Sequence, residues 1–293
     1  MNSQLVNAWI FLNEDEPKGT NYNNSNSCYQ TLIQNSVYQS VDILNLCFVT
    51  TLPTSAKTVP TGDGSSYTIQ MGASSHPGGL TNQDYMNYVI RDARKNNSSI
   101  RIAVTLNWGD GNVLSNIFSN SNYSAQQNAE NFAANLMAYL KKFDLDGFDI
   151  DWESPISDQT TQAQFALLVN AIGAQFKQQD KPYYLTLSPA EVGNLDATAV
   201  NNNISFVNLQ LYSGFTSPDS FKDAGVNPNL FAYGAKFESG YQTGQSAYQD
   251  NETNYKYSVF TCWRLNSSNY AFEQTQQQVL YRLVFPIVDS KTA

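Results

Sequence analysis

The sequence predicts a (β/α)8 barrel, on three observations. Eight short runs rich in β-branched and aromatic residues alternate with longer segments, several of them of helical periodicity. The 293 residues are the right number for eight such strand-helix units. No GxGxxG turn follows the first run, where an open doubly wound sheet would need one.

In chain order, the first strand is expected at 5–11 (LVNAWIF) and the second at 42–49 (DILNLCFV). Residues 51–80, rich in Thr, Ser, Gly and Pro, read as a long loop. Thr81 and Asp84 have capping-box spacing and open a helix through Tyr85 and Val89, which leads to a third strand at 100–106 (IRIAVTL). Ser124 and Gln127 repeat that spacing ahead of a helix over 124–143, where Phe132, Leu136, Tyr139, Leu140 and Phe143 make one apolar face. The fourth strand is expected at 144–151 (DLDGFDID). A helix over 160–177 follows it, with Phe165, Leu168, Val169, Ile172 and Phe176 on one side. Strands at 183–188, 204–212, 230–236 and 257–263 and a C-terminal helix around 271–283 complete the count. No linker, repeat or low-complexity tract divides the chain, so one domain over 1–293 is expected.

Charge narrows the function. With 16 basic against 25 acidic side chains the net charge is -9, which repels phosphate backbones and anionic lipids and argues against nucleic acid or a membrane surface as partner. Only 14% of residues are charged, against roughly 25% in an average soluble protein. Asn, Gln, Ser and Thr fill the gap, and such a surface suits neutral, hydroxyl-rich ligands. Cys28, Cys47 and Cys262 are odd in number and far apart, so neither a disulfide framework nor a zinc site is indicated, and Cys47 and Cys262 read as small core residues. The sole histidine, His76, lies in GASSHPGG and is expected at the surface, which leaves little basis for a Ser-His or Cys-His catalytic pair. The N-terminal stretch lacks a basic region and its apolar run is short, so the chain is expected to be soluble and mature.

The most informative segment is FDLDGFDIDWES at 143–154. The period of two in a strand sends Asp149, Asp151 and Glu153 to one face and Phe148, Ile150 and Trp152 to the other. On the fourth strand of a barrel, the apolar face packs on the helices and the acids line up toward the C-terminal mouth, where barrel enzymes do their chemistry. Burying three ionised carboxylates side by side is costly, which makes a purely structural role unattractive. Crowding instead keeps at least one carboxyl protonated near neutral pH, as a general acid must be. A divalent cation site is the weaker reading, because Ile150 and Trp152 stand where a calcium loop has Gly and polar residues.

DGFDIDWE at 146–153 resembles the DxxDxDxE signature of glycoside hydrolase family 18, the chitinase family, at all four acidic positions: Asp146, Asp149, Asp151 and Glu153. LQLYSG at 209–214 resembles that family's sixth strand, with Tyr212 at the usual tyrosine and Gln210 where the family has Met or Gln. FTCWRL at 260–265 resembles the eighth, with Trp263 as its tryptophan. LTLSPAE at 185–191 resembles a fifth-strand segment of some bacterial members and includes Glu191. The third strand departs from the family's Ser-x-Gly-Gly. Here TLNWGDG at 105–111 puts Trp108 near the groove.

The resemblance implies endo-hydrolysis of β-1,4-linked N-acetylglucosamine chains with retention of configuration. The substrate's own acetamido oxygen is the nucleophile, as in the substrate-assisted exceptions to two-carboxylate glycosidases. It implies Glu153 as general acid/base, with Asp151, Asp149 and Tyr212 beside it as catalytic residues. Trp263, Gln210, Asp146, Trp108 and Glu191 are the expected substrate-binding residues. No metal or cofactor is called for, and a secreted monomer acting on chitin or its oligosaccharides is expected. The stretch 237–256 is too short for the family's α+β insertion, which implies an open cleft. Two other readings stand beside this one. The first is an endo-β-N-acetylglucosaminidase cutting N-glycan cores, from which Trp152 and Trp263 lean away. The second is a non-catalytic chitin-binding lectin or toxin subunit on the same barrel, from which the presence of Glu153 leans away.

Overall fold

The computed structural model describes residues 4–54, 66–109 and 113–286. Eight parallel strands form the barrel: β1 Leu5–Phe11, β2 Ile43–Pro53, β3 Arg101–Leu106, β4 Gly147–Trp152, β5 Tyr184–Pro189, β6 Phe206–Leu209, β7 Phe231–Lys236 and β8 Val259–Trp263. Each hydrogen-bonds to its sequence neighbours and β1 pairs with both β8 and β2, so the ladder closes as in a (β/α)8 barrel. Within it the chain divides into two compact units, one of Met1–Leu44, Ser74–Ile100 and Tyr233–Ala293, the other of Asn45–Ala73 and Arg101–Ala232.

In the second unit the register runs Ala103↔Gly147 to Leu106↔Ile150 between β3 and β4, and Gly147↔Tyr184 to Trp152↔Pro189 between β4 and β5. Two amphipathic helices cover the strands. Ala125–Lys142 starts at a capping box of Ser124 with Gln127, and Gln162–Lys177 at one of Thr161 with Gln164. The second helix buries Phe165, Leu168, Val169, Ile172 and Phe176, each contributing about 2 kcal/mol of apolar burial. Phe148, Ile150 and Trp152 are fully buried, and the Trp152 ring meets Phe165 at 4.6 Å, as the alternating pattern predicts.

Gly147 is the one motif residue whose identity the packing dictates outright. A Cβ there would stand 2.7 Å from the Tyr184 carbonyl oxygen and 3.3 Å from the Ala103 Cβ. The strand begins at Gly147 and not at 144, because Asp144 takes a left-handed conformation (φ 50°) and Leu145 N donates to Leu140 O, closing the preceding helix.

The expected loop over 51–80 is corrected. The second strand runs on to Pro53, and Tyr67–Met71 folds back antiparallel to it from Val49↔Met71 to Pro53↔Tyr67. Ser75–His76 and Leu80–Thr81 form a small hairpin, and residues 55–65 of that stretch lie outside the described residues. The sixth strand is shorter than expected. After Leu209 the chain leaves extended geometry at Gln210 (ψ 62°), enters a 3-10 turn over Leu211–Ser213 and turns at Gly214 (φ 78°).

In the first unit β8 lies between β1 and β7, in register from Leu5↔Val259 to Ala8↔Cys262 and from Tyr233↔Phe260 to Lys236↔Trp263. The helix Asn82–Asn96 starts at the predicted Thr81–Asp84 capping box, and Tyr270–Val284 is the C-terminal helix. Between β7 and β8 the described chain holds short turns and the helix Gly244–Asp250 but no strand. Cys28, Cys47 and Cys262 are buried thiols.

His76 is buried, not at the surface. Its Nδ1 lies 2.9 Å from Asp15 Oδ2 and its Nε2 2.6 Å from Asn82 Oδ1, while the ring stacks on Tyr85 at 3.8 Å. Both ring nitrogens are engaged by these neighbours. The surface expectation fails because the partners lie far off in sequence or on the next helix.

Candidate active site

The site grows from β4 and its neighbours in the second unit. Asp149 and Asp151 project from the same face of β4, and Glu153 follows one residue past its end. Asp149 is fully buried, Asp151 nearly so, and Glu153 half-buried at the C-terminal end of the strand.

Hydroxyls and amides from adjacent strands hold the row. Asp149 Oδ1 accepts from Thr186 Oγ1 at 2.5 Å and from Ser188 Oγ at 2.9 Å, with Asn208 Nδ2 at 3.4 Å. Thr105 of β3 adds a further hydrogen bond. Burial raises the Asp149 carboxyl to about 6 even against these four donors. Asp151 is pushed further above the carboxylate range, first by burial, then by the charges of Glu153 and Asp149 and a hydrogen bond shared with Glu153. The Gln210 amide opposes that rise: its Nε2 donates to Asp151 Oδ1 at 3.1 Å, to Glu153 Oε1 at 2.6 Å and to Ser188 O at 3.2 Å. Burial and the neighbouring carboxylates thus favour the protonated form of Asp151, beside a half-buried Glu153 that shares a hydrogen bond with it.

The structure thus brings together Asp149, Asp151, Glu153 and Gln210. Tyr212 lies in the 3-10 turn two residues past Gln210 and is half-buried. Trp108 is exposed in the turn after β3, while Asp110 and Gly111 of that stretch lie outside the described residues. Glu191 is exposed on the segment after β5, accepting from Ser157 Oγ. The same segment is pinned by Trp152 Nε1, which donates to Val192 O at 3.1 Å.

Asp146 is not among this group. It precedes Gly147 at the opposite end of β4, roughly 23 Å from Glu153 at the rise of an extended strand. There it accepts from Ile102 N at 2.9 Å and pairs with Lys181 Nζ at 2.9 Å. Trp263 ends β8 in the first unit, half-buried, its Nε1 donating to Glu238 Oε2 at 3.1 Å.

Sequence reasoning missed Thr105, Thr186, Ser188 and Asn208. The available signal was a polar residue at every second position of an otherwise buried strand. Thr186 with Ser188 on β5, and Asn208 with Gln210 at the end of β6, follow the same period that exposed the acids.

A parallel eight-stranded barrel with a carboxylate row rising to the C-terminal end of its fourth strand places ionisable groups at the face where barrel enzymes do their chemistry. Residues 19–261 match the profile of Glycosyl hydrolases family 18, and the chain belongs to that family. An endochitinase of Brugia malayi is 34% identical over 92 residues, 31% of this chain but only 17% of that relative's length. The fold is shared with a chitinase-like agglutinin from Robinia pseudoacacia (TM-score 0.64, 14% identity, 94% of this chain and 99% of that one). It is also shared with a class V chitinase from Nicotiana tobaccum in complex with NAG4 (TM-score 0.64, 12% identity, 95% and 99%). Among the described residues no helix is long and apolar enough to cross a membrane.

Proposed function

We propose that the chain is a chitinase-type hydrolase that cuts β-1,4-linked N-acetylglucosamine chains internally, with retention at the anomeric carbon and Glu153 as general acid/base. The observation that carries this reading is the linked set of Asp149, Asp151, Glu153 and Gln210, in which a buried carboxyl pushed well above its ordinary range shares a hydrogen bond with a half-buried one.

Protonated Glu153 gives its proton to the glycosidic oxygen as the C1–O bond breaks, and the substrate's acetamido carbonyl oxygen bonds to C1. Glu153, now a carboxylate, takes a proton from water, which opens the ring intermediate from the face the leaving group vacated. Asp151 accepts from the acetamido N–H and holds it in line, while Asp149 stabilises the proton on Asp151. Gln210 keeps Asp151 and Glu153 in register through its two donor bonds. Tyr212 donates to the acetamido oxygen. Trp263 offers an apolar face to a pyranose ring, with Trp108 and Glu191 as further sugar contacts. Asp146 serves at a distance, fixing the start of β4 through Ile102 and Lys181. The substrate is chitin or its oligosaccharides, and no metal takes part.

The agglutinin among the structural relatives makes a binding-only role the reading to exclude. Wild-type and E153Q chains are incubated with N-acetylglucosamine oligomers and with a high-mannose glycoprotein. The expected result is oligomer cleavage by wild type and a loss of at least about a hundredfold in E153Q. Cleavage of the glycoprotein alone, or oligomer binding without cleavage by wild type, overturns it.

A further inference from the structure

We propose that Glu238, just past the end of β7, is a positioning residue that fixes the indole plane of Trp263 against which a sugar ring stacks. The inference rests on the reading of Trp263 as a sugar-binding residue. It adds a residue that neither the acidic motif nor the strand resemblances single out.

The first unit builds this arrangement from adjacent strand ends. Lys236 and Trp263 are register partners at the ends of β7 and β8, and Phe237 N donates to Trp263 O at 2.6 Å. Glu238 therefore begins its turn beside the tryptophan. One carboxylate oxygen, Oε2, accepts from the indole Nε1 at 3.1 Å and lies 3.3 Å from Lys236 Nζ. The other, Oε1, lies 2.8 Å from an Arg264 guanidinium nitrogen that also reaches Glu14 Oε1 at 2.9 Å.

The Arg264 guanidinium lies over the Trp263 ring at 5.4 Å and over the Phe11 ring at 5.1 Å. Burial raises the Glu238 carboxyl, but Arg264, the indole N–H and Lys236 outweigh it and hold the group below its usual range. Glu238 thus stays ionised and keeps a charge-assisted bond to the indole across the working pH range.

An indole has one polar atom, and here that atom is tied to a carboxylate itself tethered by two cations. The ring cannot turn about its side-chain torsions without breaking the bond. An apolar face held in this way is already in place when a ligand arrives, so the cost of ordering it is not charged to binding. Loss of the tether should therefore weaken affinity without touching the proton-transfer chemistry.

The test measures the affinity of an N-acetylglucosamine tetramer by calorimetry in the E153Q background, where the ligand is not consumed. Glu238→Leu removes the acceptor and should weaken binding about fivefold, the range expected for one net hydrogen bond. Glu238→Gln keeps an oxygen to accept from Nε1 while losing both ion pairs, and should bind within about twofold of the parent. Trp263→Phe removes the N–H, and adding Glu238→Leu to it should cause no further loss.

Glu238 is overturned as a positioning residue if Glu238→Leu binds like the parent while Trp263→Ala weakens binding. It is overturned equally if Glu238→Gln is as weak as Glu238→Leu, or if the Leu effect persists in full with Phe at 263, since the residue then acts through Arg264 and Glu14. Trp263→Ala without effect removes the sugar-stacking assignment itself. A parent with no affinity for the tetramer overturns the functional reading and this proposal with it. A thermal unfolding midpoint for each variant separates loss of fold from loss of tether, and Glu238→Ala, which also removes the acceptor, takes the place of Glu238→Leu if that variant does not fold.

Discussion

Replacing Asp149 by Asn should stabilise the fold at neutral pH while lowering kcat. The carboxyl is fully buried, and burial raises it from 3.8 to about 6. Between those two values the unfolded chain holds fewer protons than the native one, so stability falls as pH rises through that window. The contribution is complete below the unfolded value and lost above about 6. That gap corresponds to about 3 kcal/mol. Asn carries no charge and escapes the loss. Thr186 and Ser188 can rotate their hydroxyls to suit its amide, at a cost of about 1 kcal/mol. The variant should therefore gain about 2 kcal/mol over wild type at pH 7, or about 4 °C in Tm, and gain none at pH 4. Thermal unfolding followed by circular dichroism at the two pH values checks this. A stability difference between variant and wild type that is the same at both refutes the argument that a desolvated charge on Asp149 burdens the fold.

Gln210→Leu removes the donor that joins Asp151 to Glu153, and kcat/KM should fall about 10- to 100-fold with little change in Tm, read by steady-state kinetics on a soluble oligomer. Gly147→Ala places a methyl against the Tyr184 carbonyl on a strand paired on both sides, and should cost about 1–3 kcal/mol in denaturant unfolding. His76→Ala empties a buried ring site bonded to Asp15 and Asn82 and should destabilise the chain by about 2–4 kcal/mol, with the kcat of the remaining folded protein unchanged.

The eight barrel strands were legible because each is a short run in which buried apolar residues recur, the helices at Asn82 and Ala125 because their caps are local signals, and the helix at Gln162 because its apolar face is one. The acids stood out because three of them recur at period two along one strand and the residue past its end. What stayed hidden depends on distant partners. Tyr67–Met71 is a strand because β2 runs on to Pro53 and offers it an edge, which nothing in a Thr- and Ser-rich stretch announces. Gln210 leaves extended geometry because the 3-10 turn at Leu211 begins there, so Tyr212 rides on a turn and not on the expected strand. His76 is buried through Asp15, a residue 61 positions away. Asp146 shares the motif's spacing with its fellow acids, yet its position ahead of Gly147 sends it to the other end of the barrel.

The central claim is that the chain cleaves N-acetylglucosamine chains with retention at the anomeric carbon and with Glu153 as general acid/base. The most direct test cleaves an N-acetylglucosamine pentamer with the wild-type chain and resolves the anomers of the first products before they equilibrate in water. Products formed initially as β-anomers, and absent with Glu153→Gln, are what the account predicts. Products formed initially as α-anomers would contradict it.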